Sequence, residues 1–458
     1  MQLNCRYRSF RPQSAWYRFG SNNHIIKELS LARTLRYRWV IFWILACQYV
    51  VVYFHRVCPA VVAPELVNTF AISGTSLGIL ASGYFYSYAV MQIPVGLLSD
   101  SWGTRKTVAL FSSVAALGSL LFALAPTFGF ATFARVLVGL GVSATFVSSL
   151  KALAEWFSGR EYARISGLFL AMGGVGWLSA ATPLAFLTEG FGWRSAFVII
   201  AVVTVALTIL TWFMIVDRPF PGRSSKTSVD HRSTEGANLK MSSGLSVVLR
   251  KKDFWVITIW LFFGQGTLFS FFGLWAGPYL MDTYALSKPA AGNILSMIAV
   301  GMLVGGPFLG YLSDKILESR KKVLVGASAV NVLVWFIMIV FLDVFPLPVL
   351  FGIFFLMGIA TSSIVVIIFT SVKELFPLEI AGTAIGTANL FGFCGGIVFQ
   401  PVIGYILDIS GKVQGIYPPY AYRWTFWIFL GINLVSLISI LFLKETISHT
   451  GHPVAHAR

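Results

Sequence analysis

Three ionisable residues lie inside long apolar stretches of this chain: His55 and Arg56 in one, Arg135 in another. A charge at membrane depth costs several kcal/mol unless something compensates it, so such positions are read first as functional. All 18 Asp and Glu residues fall in loops, tails or the last turns of apolar stretches, Glu65, Glu155 and Asp408 among them. Neither arginine therefore has a carboxylate at its own level. Two guanidinium groups facing one space would take an anionic ligand, because their planar fork matches carboxylate and phosphate. The alternative is that each bonds backbone carbonyls or snorkels toward a helix end. His55 is a candidate proton carrier, since an imidazole titrates near neutrality; it would serve equally as a hydrogen-bond partner for a neighbouring helix.

The elements that position these residues follow from composition. A chain of 458 residues that is 57% hydrophobic and 11% charged has too little polar surface to cover a water-soluble globule, so its solvent is lipid. Apolar runs of bilayer-spanning length, without alternation, predict helices and not a barrel. They fall at 39–62, 75–98, 107–125, 128–151, 163–188 and 195–216, and again at 254–281, 289–312, 322–342, 347–371, 380–407 and 424–443. The reading is an all-α membrane protein of twelve transmembrane helices in two pseudo-symmetric six-helix halves, 39–216 and 254–443. A basic tail (1–38), a Ser-rich linker (217–253) and a short tail (444–458) complete it. Of the 34 Lys and Arg, 28 lie in the tails and alternate loops, which places both termini and the linker in the cytoplasm and accounts for the net charge of +16 without nucleic acid. With Arg56 in the outer part of its span and Arg135 roughly 10 Å inside the outer end of its own, the two share a depth.

Between the second and third spans stands Gly96-Leu97-Leu98-Ser99-Asp100-Ser101-Trp102-Gly103-Thr104-Arg105-Lys106, and it recurs as Gly310-Tyr311-Leu312-Ser313-Asp314 followed by Arg320. Glu155-Trp156-Phe157 likewise answers Glu374-Leu375-Phe376, at a similar shift. The loop resembles the signature of the major facilitator superfamily of transporters. That resemblance implies a conformational latch built from Gly96, Asp100, Gly103, Arg105 and Lys106, with Asp314 in the second half. An Asp near a helix start with Arg105 as partner is able to form such an ion pair.

Tyr53-Phe54-His55-Arg56, Tyr88 through Gln92, and Arg135 with Gly139 resemble the anion:cation symporter family, whose arginines help bind organic anions while acids in spans one and four couple protons or sodium. Here His55 and Val142 stand where those acids would be. Coupling through His55, to H+ or Na+, facilitated diffusion and exchange all stay open. Tyr84, Tyr88 and Gln92 share a helical face that lines a cavity or packs on a neighbour. Gln265, Trp275, Asn293, Asn331, Asn389 and Gln400 are intramembrane polar or amphipathic positions, each able to glue helices or touch a ligand.

The expected function is a secondary active transporter moving a small organic anion (carboxylate, sugar acid, amino acid or phosphate ester) by alternating access, with Arg56, Arg135, Tyr53, Tyr84, Tyr88, Gln92 and Gln265 as substrate contacts. A proton-coupled drug or metabolite exporter of the same superfamily is the alternative, weakened because span five has no Gly-Pro pair; a non-transporting sensor is a third. No catalytic constellation, cofactor motif or metal-ligand spacing occurs, and the four cysteines are scattered. A monomer in the cell membrane is expected. The absence of an Asn-x-Ser/Thr sequon points toward a bacterial inner membrane.

Overall fold

The computed structural model describes residues 19–157, 159–217 and 245–446, with the side chains of 19–35, 93, 97, 100, 159, 160, 163, 362, 378 and 379 outside the description. The start of the basic tail, the middle of the linker and the last twelve residues, 447–458, thus lie outside the described residues. The first half comprises α1 (Phe19–Val57), α2 (Pro59–Phe70), α3 (Gly74–Trp102), α4 (Thr104–Ala123), α5 (Phe128–Trp156), α6 (Gly159–Ser179) and α7 (Thr182–Met214). The second comprises α8 (Lys252–Tyr284), α9 (Lys288–Ile316), α10 (Arg320–Val340), α11 (Leu347–Leu375), α12 (Leu378–Ser410) and α13 (Pro419–Leu441). All twelve apolar segments expected from the sequence fall on helix. Helix starts carry the residues that satisfy free N–H groups: Ser73 accepts from Ser76, Ser287 from Ala290 and Ser319 from Lys322.

The boundaries differ from expectation where one backbone residue overrides hydropathy. Span one does not run through to residue 62 as a single rod: it breaks at Cys58, because Pro59 has no N–H to continue the ladder. The fifth span bends at Ala180 and Ala181 and re-forms as α7, which leaves helical geometry at Gly192 (φ 79°) before running on as the sixth span. At the other end, α1 begins at Phe19, so half of the expected basic tail is a continuation of the first helix.

Polar residues inside each half tie its helices together, since no water is available there. Gln48 donates to Ser112 and Thr211, joining α1, α4 and α7. Asn433 of α13 accepts from Asn331 of α10 and donates to Thr267 of α8, while Thr361 of α11 donates to Asn331. Asn331 is therefore helix glue in this structure.

The two halves meet at the end of the bundle opposite the described chain ends. There the Asp408 carboxylate at the end of α12 accepts from the backbone N–H of Gly74 (2.7 Å) and Thr75 (2.8 Å), from the Thr75 hydroxyl (2.6 Å) and from Tyr417 (2.7 Å). An acid from one half thus caps the positive end of α3 in the other. Burial and the neighbouring carboxylate push the Tyr417 phenol well above its usual range, so it stays a donor. Lys288 pairs with Glu65, and Thr182 bonds Asn293 and Ser296 at the same end. On the side of the chain ends, Arg38–Glu161, Arg105–Asp217 and Arg320–Glu374 each join residues of one half. Replacing Asp408 with alanine is expected to loosen the closed end by about 1–2 kcal/mol. The check is labelling of a cysteine placed at Ser73 by a membrane-impermeant maleimide, which should rise severalfold over the same cysteine in the parent; unchanged labelling would deny Asp408 that role.

The Asp100–Arg105 pair expected as a latch in the first half lies partly outside the described residues. Arg105 lays its guanidinium over Trp212 (5.1 Å) and its backbone N–H on Asp217 (2.8 Å); the Asp100 side chain lies outside the description and Lys106 is exposed. Gly103 has φ 81°, with the Asp217 carboxylate packed where a Cβ would be. The second copy does form a charge cluster: Arg320 pairs with Asp314 and with Glu374.

Candidate anion site

Arg56 stands where the two halves touch. It lies in the last turn of α1, just before the break, and its side chain is almost wholly buried. Four aromatic rings surround the guanidinium carbon: Tyr53 at 4.4 Å and Tyr88 at 5.3 Å from the first half, Phe269 at 5.5 Å and Phe393 at 5.3 Å from the second. The rings hold one another. Phe269 and Phe393 stack at 5.5 Å, Phe85 stacks on Phe269 at 4.9 Å, and Tyr88 meets Phe393 at 4.6 Å. Ring faces stabilise a cation without neutralising it. No carboxylate lies within ion-pair distance of Arg56 among the described residues, and its Nε has no hydrogen-bond partner.

Sequence reasoning placed Arg135 in the same space, but its guanidinium is otherwise occupied. Nη2 donates to the backbone oxygen of His55 (3.0 Å), Nη1 approaches the Cys58 sulfur (3.8 Å), and the group lies over Tyr84 (5.4 Å) and Phe122 (5.9 Å). It behaves as the backbone-bonding alternative described, not as a second free cation. His55 turns its ring toward Phe54 and Phe197, fully buried, with both nitrogens unpartnered.

The tyrosine face is as expected in part. Tyr84 and Tyr88 stack at 5.8 Å; Tyr84 is sealed in and lies by the Val52 carbonyl (3.3 Å), and its hydroxyl, like that of Tyr88, is within reach of the Arg56 guanidinium. Gln92 bonds back to the Tyr88 carbonyl at 3.3 Å. Gln265, in the π-helical stretch Leu261–Gln265 of α8, is buried with an unpartnered Oε1 beside Gly392. A π turn widens the helix and redirects side chains and carbonyls, and such turns gather at functional sites. The next one, Leu268–Trp275, presents Phe269 and its carbonyl, which Gln400 holds at 3.0 Å. Trp275 donates to the Gln400 carbonyl (3.0 Å). Phe269 and Phe393 were not singled out from sequence, being two among 40 phenylalanines with no local signal.

Arranged this way, the contact between the halves holds one cation without a carboxylate partner among the described residues, between aromatic rings from both halves.

Comparison with known proteins bears on this arrangement. The profile of the Major Facilitator Superfamily matches residues 45–287 and 266–457. An uncharacterized transporter of Bacillus subtilis is 28% identical over 85% of this chain and 92% of its own length. A probable galactarate/D-glucarate transporter of Escherichia coli is 24% identical over 88% of this chain and 93% of its own. Among solved structures, a bacterial homologue of the human lysosomal transporter Spinster, in an inward-facing and occupied conformation, superposes with a TM-score of 0.68 at 17% identity, covering 89% of this chain and 97% of that one.

Proposed function

This chain belongs to the Major Facilitator Superfamily, a multi-pass membrane transporter and not an enzyme, and from that premise we propose that it carries a small organic anion bound by Arg56 at the interface of its halves. One observation carries the proposal: a buried guanidinium with no acid partner among the described residues, walled by rings from both halves. Leaving a cation so placed without a counterion is costly, and a carboxylate arriving there repays that cost. Relatives described as galactarate/D-glucarate transporters support a sugar acid or similar carboxylate as the cargo class. The contacts gathered at one end support a state open toward the chain ends, and the excess of Lys and Arg in the tails and alternate loops supports cytoplasmic chain ends in an inner membrane. Rocking of the halves about Arg56 would then present the site to each side in turn, within a single chain.

The test is a melting-temperature screen of the purified protein against D-glucarate, galactarate, hexuronates, amino acids and phosphate esters, followed by uptake of any stabilising anion into proteoliposomes. A ligand at one hundred times its Kd stabilises by about 2.7 kcal/mol, which the screen detects. Stabilisation by cations or neutral drugs alone would sink the anion reading.

His55 is a poor place for the coupling proton, because its ring is packed against Phe54 and Phe197 and not toward Arg56. His55→Gln is expected to leave the pH profile of uptake unchanged. A flattened profile would restore His55 as the proton carrier.

A further inference from the structure

We propose that Arg135 is a positioning residue: it supplies the main-chain hydrogen bond that Pro59 removes, and thereby holds the peptide unit from which Arg56 projects. In a continuous helix the carbonyl of His55 would accept from the N–H of residue 59. That residue is Pro59, which has none. The carbonyl is left at a depth where water cannot serve it, and such a group must find a partner within the protein. Arg135 Nη2 donates to it at 3.0 Å, and the Cys58 thiol also points to it at 3.6 Å. Arg135 Nη1 in turn lies 3.8 Å from that sulfur, so both ends of the guanidinium hold the break. Its charge is spread over the Tyr84 and Phe122 rings instead of being met by an acid.

The consequence for the site is geometric. The His55 carbonyl belongs to the same planar peptide as the Arg56 nitrogen, so fixing that oxygen fixes the plane from which the Arg56 side chain departs. Arg135 sits about two turns into α5 and is itself fully enclosed, which gives the clamp a rigid base. A second proline in the same segment acts in parallel. Pro64 deprives the Ala60 carbonyl of its helical donor, and that oxygen is turned to Gly277 of the other half. One freed carbonyl thus serves the site and the other the closure.

A double-mutant cycle decides the matter without knowledge of the cargo. Arg135→Met removes both the bond and a buried charge, so its sign alone is uninformative. Pro59→Ala restores an N–H that donates to His55 in the helical pattern. If Arg135 replaces that missing donor, Pro59→Ala raises the melting temperature by roughly 2 °C more in the Arg135→Met background than in the parent. Additivity within about 1 °C overturns the proposal. Should Arg135→Met alone not yield folded protein, recovery of folded protein in the double variant supports the clamp, and failure of both overturns it.

The second readout separates positioning from direct contact, using D-glucarate as probe. Arg135→Met is expected to raise the concentration giving half-maximal thermal stabilisation about tenfold, and Pro59→Ala/Arg135→Met to bring it back to within about threefold. Recovery of melting temperature without recovery of D-glucarate affinity would make Arg135 a ligand of the anion and overturn the positioning role. If no anion stabilises the parent, the organic-anion reading fails by itself, and the melting cycle still decides the clamp.

Discussion

Arg56→Gln abolishes uptake of the anionic cargo, with binding weakened at least about a hundredfold, which corresponds to about 3 kcal/mol. Glutamine keeps a planar amide in the aromatic ring set but carries no charge, so what is lost is the attraction to a carboxylate in a site that excludes water. The fold should not suffer. Tyr53, Tyr88, Phe269 and Phe393 make ring contacts with one another or with their own helices, and no acid is orphaned when the cation goes. The melting temperature of the apo protein is expected to hold or rise, because an uncompensated buried charge has been removed. Arg56→Lys keeps the charge without the bidentate fork, and should fall between the two. Uptake and thermal shift measured on the same preparations check the pair of expectations. Parent-level transport by Arg56→Gln would leave the anion site without foundation.

Gly277→Val should be the most damaging change at the closed end. A Cβ on Gly277 would fall inside the van der Waals envelope of the Ala60 carbonyl oxygen, with the Ala60 carbonyl carbon also within contact. Both neighbours are backbone, so neither moves out of the way as a side-chain tip would. The carbonyl is free to face the glycine because Pro64 has no N–H to bond it. Overpacking against backbone costs about 3 kcal/mol or more. That is enough to shift the balance between closed and open outer ends by roughly a hundredfold. Expected is a protein that folds, is labelled freely by impermeant reagents at the Ser73 end, and turns over slowly if at all. Normal turnover would show that the halves need not approach as they do here.

How far the sequence carried these conclusions depends on the kind of interaction. Bilayer length, repeat and charge asymmetry are properties of the chain taken along its length, because lipid demands about 20 apolar residues in a row and basic loops stay on one side. They located the long apolar helices and marked Arg56, Arg135 and His55 as out of place. Periodicity also put Tyr84, Tyr88 and Gln92 on one face, since side chains four apart in a helix stack. Hydropathy is blind to a single missing N–H, so the break at Pro59 and the bend at Ala181 fall inside expected continuous spans, whereas Gly192 lies in the connection expected between spans five and six.

What only the tertiary structure decided is which partner each of these groups meets. Both arginines looked alike in the chain, as basic residues without an acid nearby; the fold gave Arg135 the His55 carbonyl and left Arg56 among rings. Two of those rings, Phe269 and Phe393, come from helices separated from Arg56 by more than two hundred residues, and a phenylalanine carries no mark of what it will face. Asp408 read as an acid at a helix end, and its use as a cap for α3 appears only when α12 is laid beside that helix. The sequence by itself determined the solvent, the helices and the shortage of acids, because those are one-dimensional sums over neighbouring residues. The pairing across the halves is set by three-dimensional packing at contact distance, which no local sum contains.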